Sequence, residues 1–330
     1  MPLRYSYIQT RQKMGDIMQD TLESYITESR ISLDSRAYKT KSLDKKATLK
    51  QHEKSKTHFH HKKSLGQHFL HDSVILDRIF QSIPQDIAAE IDKSVRLIEV
   101  GIGLGDLTKR LLSKYSLLAY EIDYDLITQA EKNYHHEIET NRLQLVQADV
   151  LKVRHNDSYL LSSDYFLVSN LPYYIATAII LQALKDTHCK GFLVMTQKEV
   201  AQKFCAKQKD STYCSLSLLA QSFGDISYLF SVPKEAFNPP PKVESAVFCF
   251  KRGKCHYTQD LESLLHFAFL APRKKLFSNL MQYDKLRDKA MLKHIFQTMQ
   301  LDENVRAHEV GLQEYCDMLH IYNAMKKDKQ

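Results

Sequence analysis

Long apolar runs are missing from this sequence. No stretch approaches the roughly 18 consecutive apolar residues of a membrane-spanning helix, and residues 1–30 contain no apolar core of a secretory leader. Acidic residues within the same segment, such as Asp16 and Glu23, also disfavour an organelle transit peptide. We therefore expect no membrane partner and no export.

Cysteine pairs at metal-binding spacing are also missing. The six cysteines are irregularly spaced and include no C-x-x-C pair, which predicts free thiols in a reducing compartment. The histidines His58, His60 and His61 have no cysteine or acidic partner at ligand spacing, so we expect no metal site. These absences together indicate a cytoplasmic protein.

The N-terminal part has few apolar residues. Residues 39–63 are rich in Lys, Ser, Thr and His, and such a segment cannot bury enough surface to offset its ordering entropy. We predict that residues 1–62 form a mostly disordered, basic extension, either a solvated tail or an accessory tether for nucleic acid. The net charge of +7 is compatible with a polyanionic partner.

Residues 63–330 carry ordered patterns of two kinds. Short apolar strands alternate with helices over residues 63–253, whereas residues 254–330 show helical spacing only. A chain of 330 residues is long enough for one larger domain and one smaller domain. We therefore predict an α/β domain over residues 63–253 and a small all-α domain over residues 254–330.

A glycine-rich turn follows the first long apolar strand of the α/β region. Gly101, Gly103 and Gly105 stand between this strand and a helix, where glycine lets the backbone approach a ligand closely. The turn departs from the dinucleotide pattern G-x-G-x-x-G, because Asp106 replaces the third glycine. Taken alone, such a turn also occurs as plain tight packing.

Polar residues end the next three strands. Glu121 ends the second strand and could accept from two ribose hydroxyls, and Asp149 ends the third, where it could accept from an adenine amino group. Asn170 ends the fourth. One such residue is often only a helix cap, but Gly101 and these three in succession indicate a ligand site at one sheet edge.

The segment Asn170-Leu171-Pro172-Tyr173 provides a possible reaction centre. Pro172 must end the strand, because it has no N–H for the ladder. The Asn170 side-chain oxygen and the Leu171 carbonyl could accept both N–H bonds of a nucleobase amine, while Tyr173 stacks on the base. This arrangement suits methylation of an amine whose lone pair is delocalised. The alternative is a simple strand-to-helix turn.

Together these motifs resemble class I S-adenosylmethionine-dependent methyltransferases, and more narrowly the KsgA-type ribosomal RNA adenine dimethyltransferases. The resemblance runs from about Lys63 into the 300s and rests on LGQHFL, EVGIGLGDLT, EID, QAD, NLPYY, FNPPPKVESAV and AFLAPRKKLFSNL. It implies a Rossmann-like methyltransferase sheet as the catalytic domain, with an RNA-binding helical domain after it.

The resemblance also implies site residues. Those that would contact the methyl donor, S-adenosylmethionine, are His68, Leu70, Gly101, Gly103, Glu121, Asp149 and Asn170. The catalytic residues would be Asn170, Leu171, Pro172, Tyr173 and Phe237. Phe237 would face Tyr173 across a flipped base, whereas a plug on the core is the alternative for this ring. His68 stands where Asn is common in the family.

The implied reaction is dimethylation of two adjacent adenines at N6, in the 3′-terminal hairpin loop of small-subunit ribosomal RNA on a partly assembled subunit. DNA is not an expected partner, because NLPY replaces the D-P-P-Y form and no separate base-reading domain is evident. Two alternatives are a resistance-type methyltransferase acting on large-subunit RNA and a mainly non-catalytic assembly factor of the small subunit.

Overall fold

The computed structural model describes residues 68–327. The basic extension predicted for residues 1–62 lies outside the described residues. Nine strands are present in this part of the chain: β1 (Phe69–Leu70), β2 (Arg96–Val100), β3 (Leu117–Glu121), β4 (Leu143–Gln147), β5 (Tyr165–Asn170), β6 (Cys189–Gln197), β7 (Gly224–Val232), β8 (Phe237–Asn238) and β9 (Ser245–Arg252).

Seven of these strands form one sheet in the order β4-β3-β2-β5-β6-β9-β7. Strands β2 to β6 are parallel, while β9 runs antiparallel to both β6 and β7. The strand order reverses between β2 and β5, and α/β sheets open a ligand crevice at such a point. Strands β1 and β8 form a separate antiparallel pair.

The central strands are apolar on both faces. In β5, the residues from Tyr165 to Val168 are all fully buried, as expected for a parallel strand covered by helices on both sides. Parallel neighbours require long crossover connections, which the helices between the strands supply. The predicted α/β class with a Rossmann-like sheet is confirmed.

Helices cover the sheet and form the C-terminal region. Their bounds are α1 (Ser73–Gln81), α2 (Gln85–Glu90), α3 (Asp106–Leu112), α4 (Tyr124–Asn133), α5 (His135–Glu139), α6 (Ala176–Lys185), α7 (Lys198–Cys205), α8 (Ser215–Gln221), α9 (Gln259–Ala268), α10 (Leu276–Leu280), α11 (Lys289–Thr298) and α12 (Leu312–Lys327). Asp72 caps α1 by accepting from the backbone N–H groups of Val74 and Ile75. No helix within residues 68–327 is both long and apolar enough to cross a membrane.

Buried side chains form a core beside the sheet and a second core among the C-terminal helices. The second core contains Leu264, Phe296 and Tyr315, together with Ala206 and Leu218 from the preceding region. Strands end at Arg252 in the described part of the chain, and only helices and turns follow. The division into residues 63–253 and 254–330 stays a proposal, because the second core draws on both spans.

Candidate active site

The loops after β2 and β5 meet at the point where the strand order reverses. Gly101 has a φ of +78°, and a Cβ at this residue would lie 3.6 Å from Cγ of Pro172. The positive φ favours glycine here, and the proline ring lies within van der Waals distance of this residue. The glycine turn and the Asn170–Tyr173 segment, which are distant in sequence, lie side by side.

A cavity of about 260 Å³ opens beside this meeting point. Gly101, Glu121, Asp149 and Pro172 all contribute to its wall, as does Tyr174. The structure thus brings together three of the residues that the sequence predicts at strand ends. Tyr174, which the sequence analysis did not single out, adds a half-exposed aromatic wall. Its position directly after Tyr173 in NLPYY could have identified Tyr174 as a candidate site residue.

The Glu121 carboxylate is held in a fixed orientation. Its Oε1 accepts from the backbone N–H groups of Ile122 at 2.8 Å and Asp123 at 2.9 Å, and its Oε2 lies 3.4 Å from the Gly103 nitrogen. Burial raises the pKa of Glu121, and these three backbone hydrogen bonds oppose the shift. A carboxylate anchored in this way can accept hydrogen bonds from a pair of ribose hydroxyls.

Asp149 is also oriented by its neighbours. Its Oδ1 accepts from the Leu151 backbone N–H at 3.1 Å, and its Oδ2 lies 3.3 Å from Nζ of Lys152. The carboxylate therefore caps the 3₁₀ turn Val150–Lys152 while it contributes to the cavity wall. Asp149 is therefore placed both to cap this turn and to bind a ligand in the cavity.

A smaller recess shares Gly101 with the main cavity. Leu70, Gly103 and Asn170 line it, together with Glu99. The Glu99 side chain is 1% exposed, and its Oε2 accepts from Oγ1 of Thr108 at 2.7 Å. Burial raises the pKa of Glu99 to about 8, and the charge of Glu121 adds to the effect. Glu99 was not predicted as a site residue, although an acid within the otherwise apolar strand β2 was a usable signal.

These two cavities fit S-adenosylmethionine. The ligand carries ribose hydroxyls and an ammonium group, and the carboxyls of Glu121 and Glu99 offer oxygen atoms that can accept hydrogen bonds from them. Gly101, Gly103 and Gly105 all have a positive φ, and all three line the recess. Within residues 68–327, no group of three or more His, Cys, Asp or Glu side chains is arranged to hold a metal ion.

Asn170 lines the recess, and Leu171, which follows it, is buried. Asn170 Nδ2 donates to the His68 carbonyl at 3.4 Å, and the Leu171 N–H donates to the Met195 carbonyl at 3.0 Å. Among the described residues, no donor contacts Asn170 Oδ1 or the Leu171 carbonyl oxygen. Two acceptor oxygens without a donor from the described residues therefore follow each other at the end of β5, and the first of them, on Asn170, belongs to a residue that lines the recess.

Tyr173 is fixed from two sides. Its hydroxyl is hydrogen bonded to Oγ of Ser245 on β9, at 2.5 Å. Its ring stacks against the ring of His68, with 5.9 Å between centroids and 22° between planes. Burial raises the pKa of Tyr173, which keeps the phenol neutral. The Tyr173 ring is therefore held in one orientation, three residues after Asn170.

Phe237 and His68 differ in position from the other predicted site residues. Phe237 is 2% exposed, pairs with Leu70 in the β1–β8 ladder and belongs to the core beside the sheet. Phe237 is thus buried as a core side chain is, and the stacking of its ring on a base stays a prediction. His68 is absent from the walls of both cavities, so its contact with the methyl donor also stays a prediction.

Known proteins resemble this chain over most of its length. A family model described as ribosomal RNA adenine dimethylase matches residues 58–324. The ribosomal RNA small subunit methyltransferase A of Helicobacter hepaticus is 46% identical, over 81% of this chain and 92% of the relative. The protein of the same description from Helicobacter pylori is 41% identical, over 78% of this chain and 96% of the relative.

Two solved structures share the fold. A dimethyladenosine transferase from Plasmodium falciparum superposes with a TM-score of 0.63 at 23% identity, covering 78% of this chain and 98% of that chain. The 23S rRNA methyltransferase ErmE superposes with a TM-score of 0.60 at 19% identity, covering 77% and 99%. At these identities the likeness concerns the fold alone.

Proposed function

The chain belongs to the ribosomal RNA adenine dimethylase family, and on this premise we propose a specific reaction for it. It transfers methyl groups from S-adenosylmethionine to N6 of two adjacent adenines in the 3′-terminal hairpin loop of small-subunit (16S) ribosomal RNA. The observation that carries the proposal is the Asn170 side chain, which lines the recess with no donor from the described residues on its Oδ1, in one segment with the Leu171 carbonyl and the fixed Tyr173 ring.

The reaction needs positioning more than acid–base chemistry. S-adenosylmethionine supplies an electrophilic methyl group on a sulfonium. The adenine amine is a weak nucleophile, so Asn170 and Leu171 act by accepting its two N–H bonds and drawing the lone pair out of conjugation. Tyr173 holds the base by stacking, a contact worth about 1–3 kcal/mol. The proton leaves the amine after transfer, so no strong base is required.

The residues around the cavities hold the methyl donor. Glu121 accepts from the ribose hydroxyls, and Asp149 accepts from the adenine amino group. Glu99 offers a carboxyl oxygen to the ammonium end, in the recess that also contains Asn170. The donor would therefore bridge the two cavities across Gly101, the residue that they share.

The substrate is an RNA whose target bases can leave their stack. Extruding a base costs a few kcal/mol, and less where it is already unpaired, as in a hairpin loop. By resemblance to the family, the substrate is a partly assembled small subunit. The net charge of +7 suits association with RNA. We propose that the protein acts in the cytoplasm and contributes to small-subunit biogenesis.

The direct test uses purified protein, labelled S-adenosylmethionine and small subunits from a strain that lacks this modification. Mass spectrometry of nuclease fragments should place dimethyladenosine at two adjacent positions in the 3′-terminal loop. Large subunits are incubated in parallel as the control substrate. Label on large-subunit RNA alone would instead identify a resistance-type enzyme, and binding to small subunits without label would identify an assembly factor.

A further inference from the structure

Two adjacent tyrosines lie in a tight turn after β5. The Ile175 N–H donates to the Pro172 carbonyl at 3.1 Å, which closes a β-turn. Tyr173 and Tyr174 occupy the two central positions of this turn. The Tyr173 hydroxyl is hydrogen bonded to Ser245 on β9, whereas Tyr174 lines the main cavity of about 260 Å³. The two rings therefore belong to different parts of the site.

The strand order accounts for this division. In the order β4-β3-β2-β5-β6-β9, the strand before the turn, β5, lies between two sides of the sheet. Strand β9, which holds Tyr173, is on one side. Strands β2, β3 and β4 are on the other. The residues at or just after their carboxyl ends line the main cavity, and these are Gly101, Glu121 and Asp149. Tyr174 shares this second side, where the proposed function places the adenosine part of S-adenosylmethionine.

Much of the Tyr174 side chain is uncovered. Tyr174 is 50% exposed, and Ile122, which lines the same cavity, is 45% exposed. Large exposed side chains of this kind around a concave site are typical of a surface that a ligand covers. Among the described residues, no group is hydrogen bonded to the Tyr174 hydroxyl. Partial burial raises the pKa of Tyr174, and the charges of Asp149 and Glu121 add to the effect.

We propose that Tyr174 binds the adenosine part of S-adenosylmethionine and covers the open side of the main cavity with its ring. This deepens the proposed function and rests on its choice of methyl donor. An aromatic ring suits a purine, because every base has a π-face on which a ring can stack. A phosphate of the RNA is disfavoured at this ring, since Glu121 and Asp149 are acidic residues of the same wall.

Two substitutions at Tyr174 test the contact, and the same two at Tyr124 are the controls. Tyr124 is 65% exposed, begins α4 just after β3 and is not among the residues that line the main cavity. Tyr174→Ala removes the ring. Tyr174→Trp keeps an aromatic face and adds a fluorescent reporter, because the sequence contains no tryptophan. Melting temperatures are recorded for all four variants.

The ligands are S-adenosylmethionine and 5′-methylthioadenosine, a fragment that keeps the adenosine and the sulfur but lacks the amino-acid end. Calorimetry measures the Kd of each ligand for each alanine variant and for the wild type. Fluorescence emission of each tryptophan variant is followed during titration with the fragment. The KM for small subunits lacking the modification is measured at saturating S-adenosylmethionine.

We expect Tyr174→Ala to raise the Kd of both ligands about tenfold, the size of effect produced by the loss of one stacked ring. The two factors should be equal, because both ligands carry the adenosine. The KM for the subunit should be unchanged. Emission of Tyr174→Trp should move to shorter wavelength as the fragment covers the ring, whereas emission of Tyr124→Trp should not change. Tyr124→Ala should match the wild type.

Four outcomes would overturn the inference. The first is an unchanged Kd of both ligands in Tyr174→Ala. The second is weaker binding of S-adenosylmethionine alone, which would place the ring at the amino-acid end. The third is a raised subunit KM at unchanged Kd, which would assign the ring to RNA. The fourth is an unchanged emission of Tyr174→Trp at saturating fragment, which would show that any loss in Tyr174→Ala is structural.

The binding measurements are independent of RNA, so they separate this inference from the proposed reaction. A wild type that binds S-adenosylmethionine and leaves small subunits unmethylated removes the proposed substrate, and the role of Tyr174 is then still decided by the two Kd values. A wild type that binds neither ligand removes both proposals.

Discussion

Asn170 Nδ2 donates to the carbonyl oxygen of His68 across 3.4 Å. This bond joins the end of β5 to the residue before β1 and turns Asn170 Oδ1 away from that carbonyl. The amide of a free asparagine could adopt either orientation, since its two ends are alike in shape. The His68 carbonyl therefore selects the rotamer in which the acceptor oxygen is available to the target amine.

Asn170→Ala should lower kcat by at least about 100-fold, the size of effect seen when one preorganised hydrogen-bonding group is removed from a reaction centre. Circular dichroism should stay close to that of the wild type, because the side chain is only partly buried. Normal turnover would contradict the role given to Asn170. A collapsed circular dichroism signal would mean that the residue is structural.

Glu121→Ala should weaken the binding of S-adenosylmethionine by about 10- to 100-fold, because hydrogen bonds to a charged group contribute about 1.5–3 kcal/mol. Glu121→Gln keeps one acceptor oxygen, so its affinity for S-adenosylmethionine should lie between that of Glu121→Ala and that of the wild type. Calorimetry with S-adenosylmethionine measures both. Affinity for small subunits should be unchanged, and a parallel loss there would show that the variant has disturbed more than the donor cavity.

The sequence predicts the strand-end residues well, and the reason is local. Each apolar strand and its terminal polar residue are read within a few positions, and parallel strands place their carboxyl ends at one edge. Gly101, Glu121 and Asp149 indeed share one cavity. The alternation of strands and helices can also be recognised from local sequence patterns alone, and the fold class could therefore be predicted.

The positions of His68 and Phe237 depend on contacts that no local pattern contains. The Nδ1 of His68 meets a carbonyl 171 positions further along the chain, and Phe237 is buried because β8 pairs with β1. Glu99 was missed for another reason. The two-residue alternation along a strand identifies which positions are buried. It does not show that a recess for a charged group of a ligand would form next to Glu99.

Glu99→Gln should change how stability depends on pH. The Glu99 pKa is raised from its ordinary value of 4.5 to about 8, so between these values the folded state binds more protons than the unfolded state. Stability therefore falls as pH rises through this window, by up to about 1.4 kcal/mol per unit. Glutamine does not titrate and can still accept from Thr108.

The free energy of unfolding of Glu99→Gln, relative to the wild type, should consequently increase from pH 5 to pH 8 and level off above that. Urea denaturation at several pH values measures it. Glu121 is present in both proteins, so its own titration largely cancels in the comparison. A difference that does not vary with pH would contradict the raised pKa of Glu99.

Gly105→Ala should destabilise the glycine turn. Gly105 has a φ of +91°, and an added Cβ would lie 2.5 Å from the hydroxyl of Tyr134, which itself donates to the Gly105 carbonyl at 2.7 Å. A residue with a side chain held at such a φ costs about 1–3 kcal/mol. The displaced turn should also bind S-adenosylmethionine more weakly, because this turn lines the recess.

The clash and the backbone strain can be separated by a double-mutant cycle. Tyr134→Ala removes the side chain that the new Cβ would meet, so the pair Gly105→Ala and Tyr134→Ala should be less destabilised than the sum of the single variants. The strain at φ +91° stays in the double variant, and rescue should therefore be partial. Gly253→Ala is the control, since a Cβ there meets nothing nearer than 3.4 Å. Exact additivity would mean that Tyr134 does not limit the space at Gly105.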